Sequence, residues 1–190
     1  MKYIMMTCKG REKLAIKIKE QIPNLIVNYD DFTDNGKFTS TAWFNYQRGW
    51  EIAGDDACVQ MDDDIILTKD FVKKIEKVIL EYPNTIIQFF SMRKKDIDIG
   101  TRFEPLSNFT MQQCYYLPKG VAKKIYEFSH IFYKYTEHKF CPSDIAIADW
   151  GKANKMQYLI YCPNLVDHMQ ERSMINKIRS AKRQSKTFQP

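Results

Sequence analysis

The chain has 190 residues and a net charge of +6, and 44% of its residues are hydrophobic. This length suits one domain with its own core, and the composition excludes an intrinsically disordered chain. No stretch approaches the roughly 18 apolar residues that a transmembrane helix requires. The first ten residues turn basic after a short apolar run, which predicts a first strand and not a signal peptide.

The five cysteines are widely spaced, and none of them forms a C-x-x-C pair. This spacing argues against a zinc site. The simplest interpretation is a chain with reduced thiols, so we expect a cytoplasmic protein.

Apolar runs alternate with helical spacings through the first half of the chain. Strands are predicted over residues 2–7, 25–29, 57–61 and 85–90, and helices over 12–21, 43–53 and 70–81. Such alternation predicts an α/β fold, with a single Rossmann-like sheet that is mainly parallel and flanked by helices.

The second half is less regular. We expect a charged loop over 91–108, a strand over 110–117, a helix over 119–128, a helix over 144–155 capped by Ser143, a strand over 158–161 and a loop over 164–173. The domain is therefore predicted to span residues 1–173. A basic tail follows at 174–190, and it suits either a polyanionic partner or a solvated, partly disordered segment.

Three consecutive carboxylates, Asp62, Asp63 and Asp64, follow the apolar strand Ala57–Met61. They repel one another, and their burial at a strand end is costly unless a cation is present. Mg²⁺ and Mn²⁺ prefer such hard oxygen ligands, and ligands of open α/β sheets bind beyond the carboxyl ends of strands. A surface acidic turn ahead of the helix near Asp70 is the alternative.

Several motifs occur in the order that is typical of the A-type glycosyltransferases, and the chain resembles the small bacteriophage-type members of that fold (GT-A) over roughly residues 2–173. The motifs are the opening strand and loop from Tyr3 to Arg11, the helix segment Phe44–Trp50, Asp62-x-Asp64, the strand and helix from Gln113 to Ala122, Ser143-Asp144, and Pro163-x-Leu165-Val166-Asp167-His168.

This resemblance implies a metal-dependent enzyme that moves a sugar from a nucleotide sugar, expected to be a UDP-sugar, to an acceptor hydroxyl. Asp144 is the expected general base. The residues implied for the nucleotide are Thr7, Arg11, Arg48, Asp62 and Asp63, and those implied for Mn²⁺ or Mg²⁺ are Asp62, Asp64 and His168.

A hydroxymethylated pyrimidine in DNA is the leading acceptor, because some similar phage-type enzymes glycosylate such bases and the basic tail suits phosphates. The host cytoplasm is then the expected location. Aromatic residues at Phe128, Phe132, Tyr133 and Tyr135 could stack on a flipped base, or could equally fill a core. Saccharide or protein hydroxyls are the alternative acceptors.

Two other functional classes remain open. Asp62-x-Asp64 also resembles the nucleophile loop of haloacid-dehalogenase-like, Mg²⁺-dependent phosphatases. That family carries the loop on its first strand, whereas two predicted strands precede it here. A non-catalytic module that binds nucleic acid through the tail is the third hypothesis, but it leaves the acidic cluster unexplained.

Overall fold

The computed structural model describes residues 1–31, 38–133, 143–169 and 183–190, with the backbone alone at 38–41 and 132–133. Among the described helices, none combines the length and apolar character needed to cross a bilayer.

In the described part of the chain, nine strands form one large and one small sheet. They are β1 (Lys2–Cys8), β2 (Leu25–Asp30), β3 (Cys58–Asp62), β4 (Ile65–Leu67), β5 (Ile86–Gln88), β6 (Arg102–Pro105), β7 (Cys114–Leu117), β8 (Gln157–Ile160) and β9 (Val166–His168). The large sheet has the order β2-β1-β3-β7-β5-β8-β6, and β4 pairs with β9 in the small one. Strand β1 is parallel to β2 and β3, whereas β7 and β6 run against their neighbours. The prediction of a mixed, mainly parallel sheet is confirmed.

Helices cover both faces of the sheet. They are α1 (Glu12–Lys19), α2 (Phe38–Ala53), α3 (Phe71–Glu81), α4 (Asp96–Ile99), α5 (Val121–Tyr133) and α6 (Ser143–Ala153). Helices α1 and α3 pack on one face, while α2, α5 and α6 pack on the other. Along β1 the buried side chains alternate between these two cores, as Met5 faces α1 and α3 and Ile4 faces α2. An apolar run buried on both sides is typical of a parallel strand.

The two strands that follow β1 in the sequence lie on opposite sides of it in the sheet. Strand β2 lies on one side of β1 and β3 lies on the other, and all three are parallel. Their carboxyl ends lie at the same edge of the sheet, within two residues of one another, since Met6 is opposite Asp62 and Cys8 is opposite Asp30. In open α/β sheets a ligand crevice forms outside the strand ends at such a switch point. The fold therefore brings the aspartate triplet to the edge where a ligand would bind.

The predictions for the second half need correction. The predicted loop over 91–108 contains α4, β6 and a short 3-10 turn at Leu106–Asn108. The predicted loop over 164–173 begins with residues that pair as β9. These elements are only three or four residues long, which is too short for local periodicity to reveal them. The strands β6 and β9 also gain their hydrogen bonds from distant strands, β8 and β4.

Element boundaries also differ from the predictions. Ser143 is the first residue of α6 and not its cap, and the strand predicted from residue 110 begins only at Cys114. The turn before Cys114 contains Met111 with a positive φ of 65°, a conformation that ends a strand. Helix α2 begins five residues before its predicted start, and helix α5 ends five residues after its predicted end.

Candidate active site

The candidate site lies at the carboxyl ends of β1 and β3. Thr7, near the end of β1, donates from its hydroxyl to Asp63 Oδ2 at 2.7 Å. Asp62 is the last residue of β3, and the chain then bends through Asp63 and Asp64 before β4. Asp63 and Asp64 are both buried. The pairing of β3 with β1 therefore places the carboxylates of Asp63 and Asp64 in a buried position next to the end of β1.

Arg11 brings a positive charge to this pair of carboxylates. The turn between β1 and α1 contains Gly10 with a φ of +89°, a conformation that glycine adopts without strain. It directs Arg11 back across the strand ends, where Nη1 lies 2.6 Å from Asp63 Oδ1 and 3.0 Å from Asp64 Oδ2. Burial raises the pKa of the Asp63 carboxyl. The positive charge of Arg11 lowers it, but this only partly offsets the effect of burial.

Asp62 has a different partner. The hydroxyl of Tyr46, from α2, donates to Asp62 Oδ1 at 2.6 Å. Burial, with a further contribution from the charge of Asp64, raises the pKa of Asp62 to about 8. The three consecutive aspartates thus have distinct environments. Asp62 accepts from a tyrosine hydroxyl, Asp63 contacts Thr7 and Arg11, and Asp64 contacts Arg11 and faces His168.

His168 reaches the cluster through the small sheet. Ile65 of β4 is opposite His168 of β9, and the Met169 amide donates to the Asp64 carbonyl at 2.8 Å. His168 Nε2 lies 3.5 Å from Asp64 Oδ2, and both side chains are buried. The other ring nitrogen, Nδ1, bonds to the carbonyl oxygen of Met169. A carbonyl only accepts, so Nδ1 carries the proton.

With this tautomer, two acceptor atoms, His168 Nε2 and Asp64 Oδ2, face each other, which suits a cation. With Nδ1 protonated, the neutral ring of His168 presents the lone pair of Nε2 towards an oxygen of Asp64. Burial lowers the pKa of His168, which favours this neutral form. A backbone carbonyl that orients a histidine from behind is the usual second partner of a metal-binding histidine. Asp64 and His168 therefore fit two positions of a divalent metal site.

The third metal ligand predicted from the sequence is not part of this arrangement. Within the ranges that the structure describes, no three His, Cys, Asp or Glu side chains form a group that could hold a metal by themselves. Asp62 is bonded to Tyr46. Mg²⁺ in phosphate-binding sites commonly uses one or two carboxylates together with substrate phosphates. The residues thus fit a metal that arrives with a phosphorylated ligand better than one held by protein alone.

The side chain of Arg48 forms hydrogen bonds with the neighbouring strand, β2. Its Nε donates to Asn28 Oδ1 at 2.7 Å, and its Nη2 donates to the Tyr29 carbonyl at 3.0 Å and to Asn45 Oδ1 at 3.2 Å. Asn45 in turn donates to the carbonyl of Thr7 at 3.1 Å. Arg48 therefore ties α2 to the ends of β1 and β2, and its predicted contact with a nucleotide stays a prediction.

Asp144 lies in the first turn of α6, partly buried, and its Oδ1 accepts from the amide of Ile145 at 3.0 Å. Its predicted role as a base stays a prediction. Of the aromatic residues predicted to face an acceptor, Phe128 is partly buried against the core. The side chains of Phe132, Tyr133 and Tyr135 lie outside the described residues, as do positions 174–182 of the predicted basic tail.

Sequence reasoning missed three residues near the site. Tyr46 lies within the predicted helix over 43–53 and has no predicted role, yet its hydroxyl donates to Asp62. Gln113 is buried, its carbonyl accepts from the Asp62 amide at 3.0 Å, and its Oε1 has no hydrogen-bond partner among the described residues. Arg183, in the predicted tail, acts electrostatically on His168. Of these three residues, only Arg183 could be noticed in the sequence, through its charge in the basic tail. The contacts of Tyr46 and Gln113 depend on how α2 and β7 pack.

No protein-family model matches the chain, and no curated protein matches it. Among solved structures, the chain is similar to the crystal structure of A197 from STIV, with 11% sequence identity and a TM-score of 0.48. The similarity covers 88% of this chain and 85% of that one. At this level it carries no information on activity.

Proposed function

We propose that the chain is a metal-dependent glycosyltransferase of the GT-A type, which transfers a sugar from a nucleotide sugar to an acceptor hydroxyl. One observation carries the proposal: Asp63, Asp64, Arg11 and His168 meet at the switch point of the sheet. Buried carboxylates, an arginine and a neutral histidine at that edge are the groups that a nucleoside diphosphate and its metal need.

The nucleotide would contact the β1 side of the crevice. Arg11 offers a planar set of donors that matches phosphate oxygens, although two of its bonds now go to Asp63 and Asp64. Asp63 and Asp62 are the acceptors proposed for ribose hydroxyls, as carboxylates serve in other nucleotide sites. Thr7 would hold Asp63 in place through its 2.7 Å bond.

The metal would be held by Asp64 and His168, with Asp62 as a further candidate from the sequence. When bound, Mn²⁺ or Mg²⁺ would neutralise charge on the diphosphate leaving group. The bond between the anomeric carbon and the phosphate oxygen breaks, and its electron pair stays on the diphosphate. The acceptor oxygen bonds to the anomeric carbon and loses its proton to a base, for which Asp144 is our candidate if the transfer inverts configuration.

The acceptor is proposed to be a hydroxymethylated pyrimidine in DNA. The support is the charge of +6 and the concentration of lysine and arginine near the C-terminus. Phosphate contacts dominate DNA affinity and make it steeply dependent on salt. Activity that falls steeply as salt rises would favour DNA, whereas activity indifferent to salt would favour a saccharide or protein hydroxyl.

The other two classes explain less. In the phosphatase hypothesis the first aspartate acts as a nucleophile on the first strand, but the cluster follows β3 and its first member is bonded to Tyr46. A nucleic-acid-binding module without catalysis gives no reason to bury Asp63 and Asp64.

The test is a melting-temperature panel of nucleoside diphosphates and nucleotide sugars, with and without Mn²⁺. A ligand at about 100 times its Kd adds about 2.7 kcal/mol to the free energy of unfolding. We expect a shift that requires nucleotide and metal together and disappears in Asp64→Asn. Asp98→Asn, which removes the same charge at an exposed position, is the control and keeps the shift. The proposal fails if no nucleotide shifts the wild-type melting temperature.

A further inference from the structure

A segment near the C-terminus, residues 185–189, is docked against the small sheet of β4 and β9. Backbone groups and small hydroxyl side chains anchor it. The hydrogen bonds run from Ser185 N to Asp167 Oδ1 at 2.7 Å, from Ser185 Oγ to Asn164 Oδ1 at 2.7 Å, from Asn164 N to Thr187 Oγ1 at 3.1 Å, and from Thr68 Oγ1 to the Gln189 carbonyl at 2.8 Å. The docked segment therefore ties β9 and the residues before it to Thr68, the residue that follows β4.

The two strands of the small sheet position the two candidate metal ligands. Strand β4 begins at Ile65, directly after Asp64, and His168 is the last residue of β9. Ile65 is opposite His168, and each strand has only three residues. An isolated pair of short strands is marginally stable at best in water, so its geometry depends on what packs around it. The 3.5 Å separation of His168 Nε2 and Asp64 Oδ2 therefore depends on contacts from outside these two strands.

Asp167 links the docked segment to His168 directly. Its Oδ1 accepts from the amide of His168 at 2.9 Å and from the amide of Ser185 at 2.7 Å. Asp167 and His168 are neighbours in a strand, so their side chains point to opposite faces of the small sheet. The docked segment thus holds the backbone of His168 from one face, while the imidazole meets Asp64 on the other.

We infer that Asp167 is a positioning residue of the metal site, through which the docked segment holds His168 at the correct distance from Asp64. This inference rests on the proposed function. Mg²⁺ accepts ligand atoms only at about 2.0–2.1 Å and in near-ideal geometry, so a small displacement of β9 weakens the site. Loss of a residue that orients a metal ligand typically lowers metal affinity by about 10–100-fold. Docking of the segment and binding of the metal should therefore favour each other.

Two substitutions separate the docked segment from His168 without changing a candidate metal ligand. Asp167→Ala removes the shared acceptor, and Ser185→Pro removes the amide that donates to it. Asp167→Asn is the matched control for the first variant, because its amide oxygen accepts the same two hydrogen bonds. Tyr116→Phe is the control for lost stability, since it deletes a hydrogen bond to the Pro83 carbonyl in another part of the fold.

The experiment is a calorimetric titration of Mn²⁺ with and without UDP, and of UDP without Mn²⁺. If the melting-temperature panel selects another base, its diphosphate replaces UDP. We expect UDP to raise the Mn²⁺ affinity about tenfold or more in wild type, Asp167→Asn and Tyr116→Phe. Asp167→Ala and Ser185→Pro lose most of this gain. The affinity for UDP without Mn²⁺ is the same in all five proteins, because Arg11 and Asp63 are unchanged.

Hydrogen exchange measures the same coupling from the side of the segment. Addition of Mn²⁺ and UDP together should slow the exchange of the Ser185 amide in wild type, because the bound metal favours the docked segment. The amide of Gly54, which donates to the Trp50 carbonyl in the turn between α2 and β3, is the reference and keeps its rate.

Three results would overturn the inference. A full gain in Mn²⁺ affinity in Asp167→Ala and Ser185→Pro would mean that the segment does not position His168. A loss of metal-free UDP binding as large as the loss of the gain would show a general structural role only. Exchange of the Ser185 amide that ignores Mn²⁺ and UDP would show that docking and metal binding are independent. If no nucleoside diphosphate changes the Mn²⁺ affinity of wild type, the proposed function itself has failed, which is a separate outcome.

Discussion

His168 and Asp64 face each other across 3.5 Å, with the Nε2 lone pair of the histidine directed at a carboxylate oxygen. Two acceptors in this position attract a cation. We predict that His168→Gln abolishes the melting-temperature shift that requires both Mn²⁺ and nucleotide. The variant keeps any shift caused by nucleotide alone, because Arg11 and Asp63 are unchanged. A metal-dependent shift equal to that of wild type would remove His168 from the site.

Arg11 compensates two buried carboxylates, and its removal should destabilise the fold. We expect Arg11→Ala to lower the free energy of unfolding by about 3 kcal/mol, because Asp63 and Asp64 are left buried without their partner. Adding Asp63→Asn should recover part of this loss, since one of the two charges is then removed. Urea unfolding of the single and double variants measures both effects, and a single variant as stable as wild type would contradict them.

Asn164 joins three separate segments. Its Oδ1 accepts from the Ser91 amide at 3.0 Å and from the Ser185 hydroxyl, and its Nδ2 donates to the Tyr161 carbonyl at 2.7 Å. Asn164→Ala leaves the buried amide of Ser91 without a partner, so we expect a loss of about 2 kcal/mol in the free energy of unfolding.

The matched control for that variant is Asn84→Ala, which removes the same side chain from an exposed position. It should cost about 0.5 kcal/mol or less. Chemical denaturation compares the two variants, and equal losses would mean that Asn164 does not hold the segments together.

Glu104 should make stability depend on acid pH. Lys95, together with Arg102, lowers the pKa of Glu104 from 4.5 to about 2. A lowered pKa contributes stability that is complete above the ordinary pKa and is lost as pH falls through the folded value. Glu104→Gln should therefore be less stable than wild type at about pH 7, and the difference should shrink as pH falls from about 4.5 towards 2. Urea unfolding across this range is the measurement, and a constant difference would contradict the assignment.

The α/β class and the aspartate cluster could be predicted from the sequence, because both depend on local patterns. The continuous apolar run of β1 and the helical spacing of Phe71, Ile75 and Val78 in α3 each appear within a short window of residues. The position of Asp62–Asp64 at a carboxyl edge then follows from the parallel arrangement of β1 and β3.

The remainder of the site depends on contacts between distant parts of the chain. Strands β4 and β9 have three residues each and exist only because Ile65 meets His168 across a hundred positions. Gly151 is another example: a Cβ there would meet the buried side chain of Leu106 well inside van der Waals contact. Nothing near Arg183 in the sequence indicates that Ser185 bonds to Asp167.

The coupling between metal and nucleotide tests the central claim most directly. Isothermal titration of Mn²⁺ into wild type and Asp64→Asn, each with and without a saturating nucleoside diphosphate, measures this coupling. Because coupling between two ligands is reciprocal, Mn²⁺ must change the nucleotide affinity by the same factor. We predict weak or undetectable Mn²⁺ binding to wild type alone, at least tenfold tighter binding when the nucleotide is present, and no such gain in Asp64→Asn. Mn²⁺ affinity that is unchanged by every nucleoside diphosphate, or a gain that survives in Asp64→Asn, would contradict the proposed donor site.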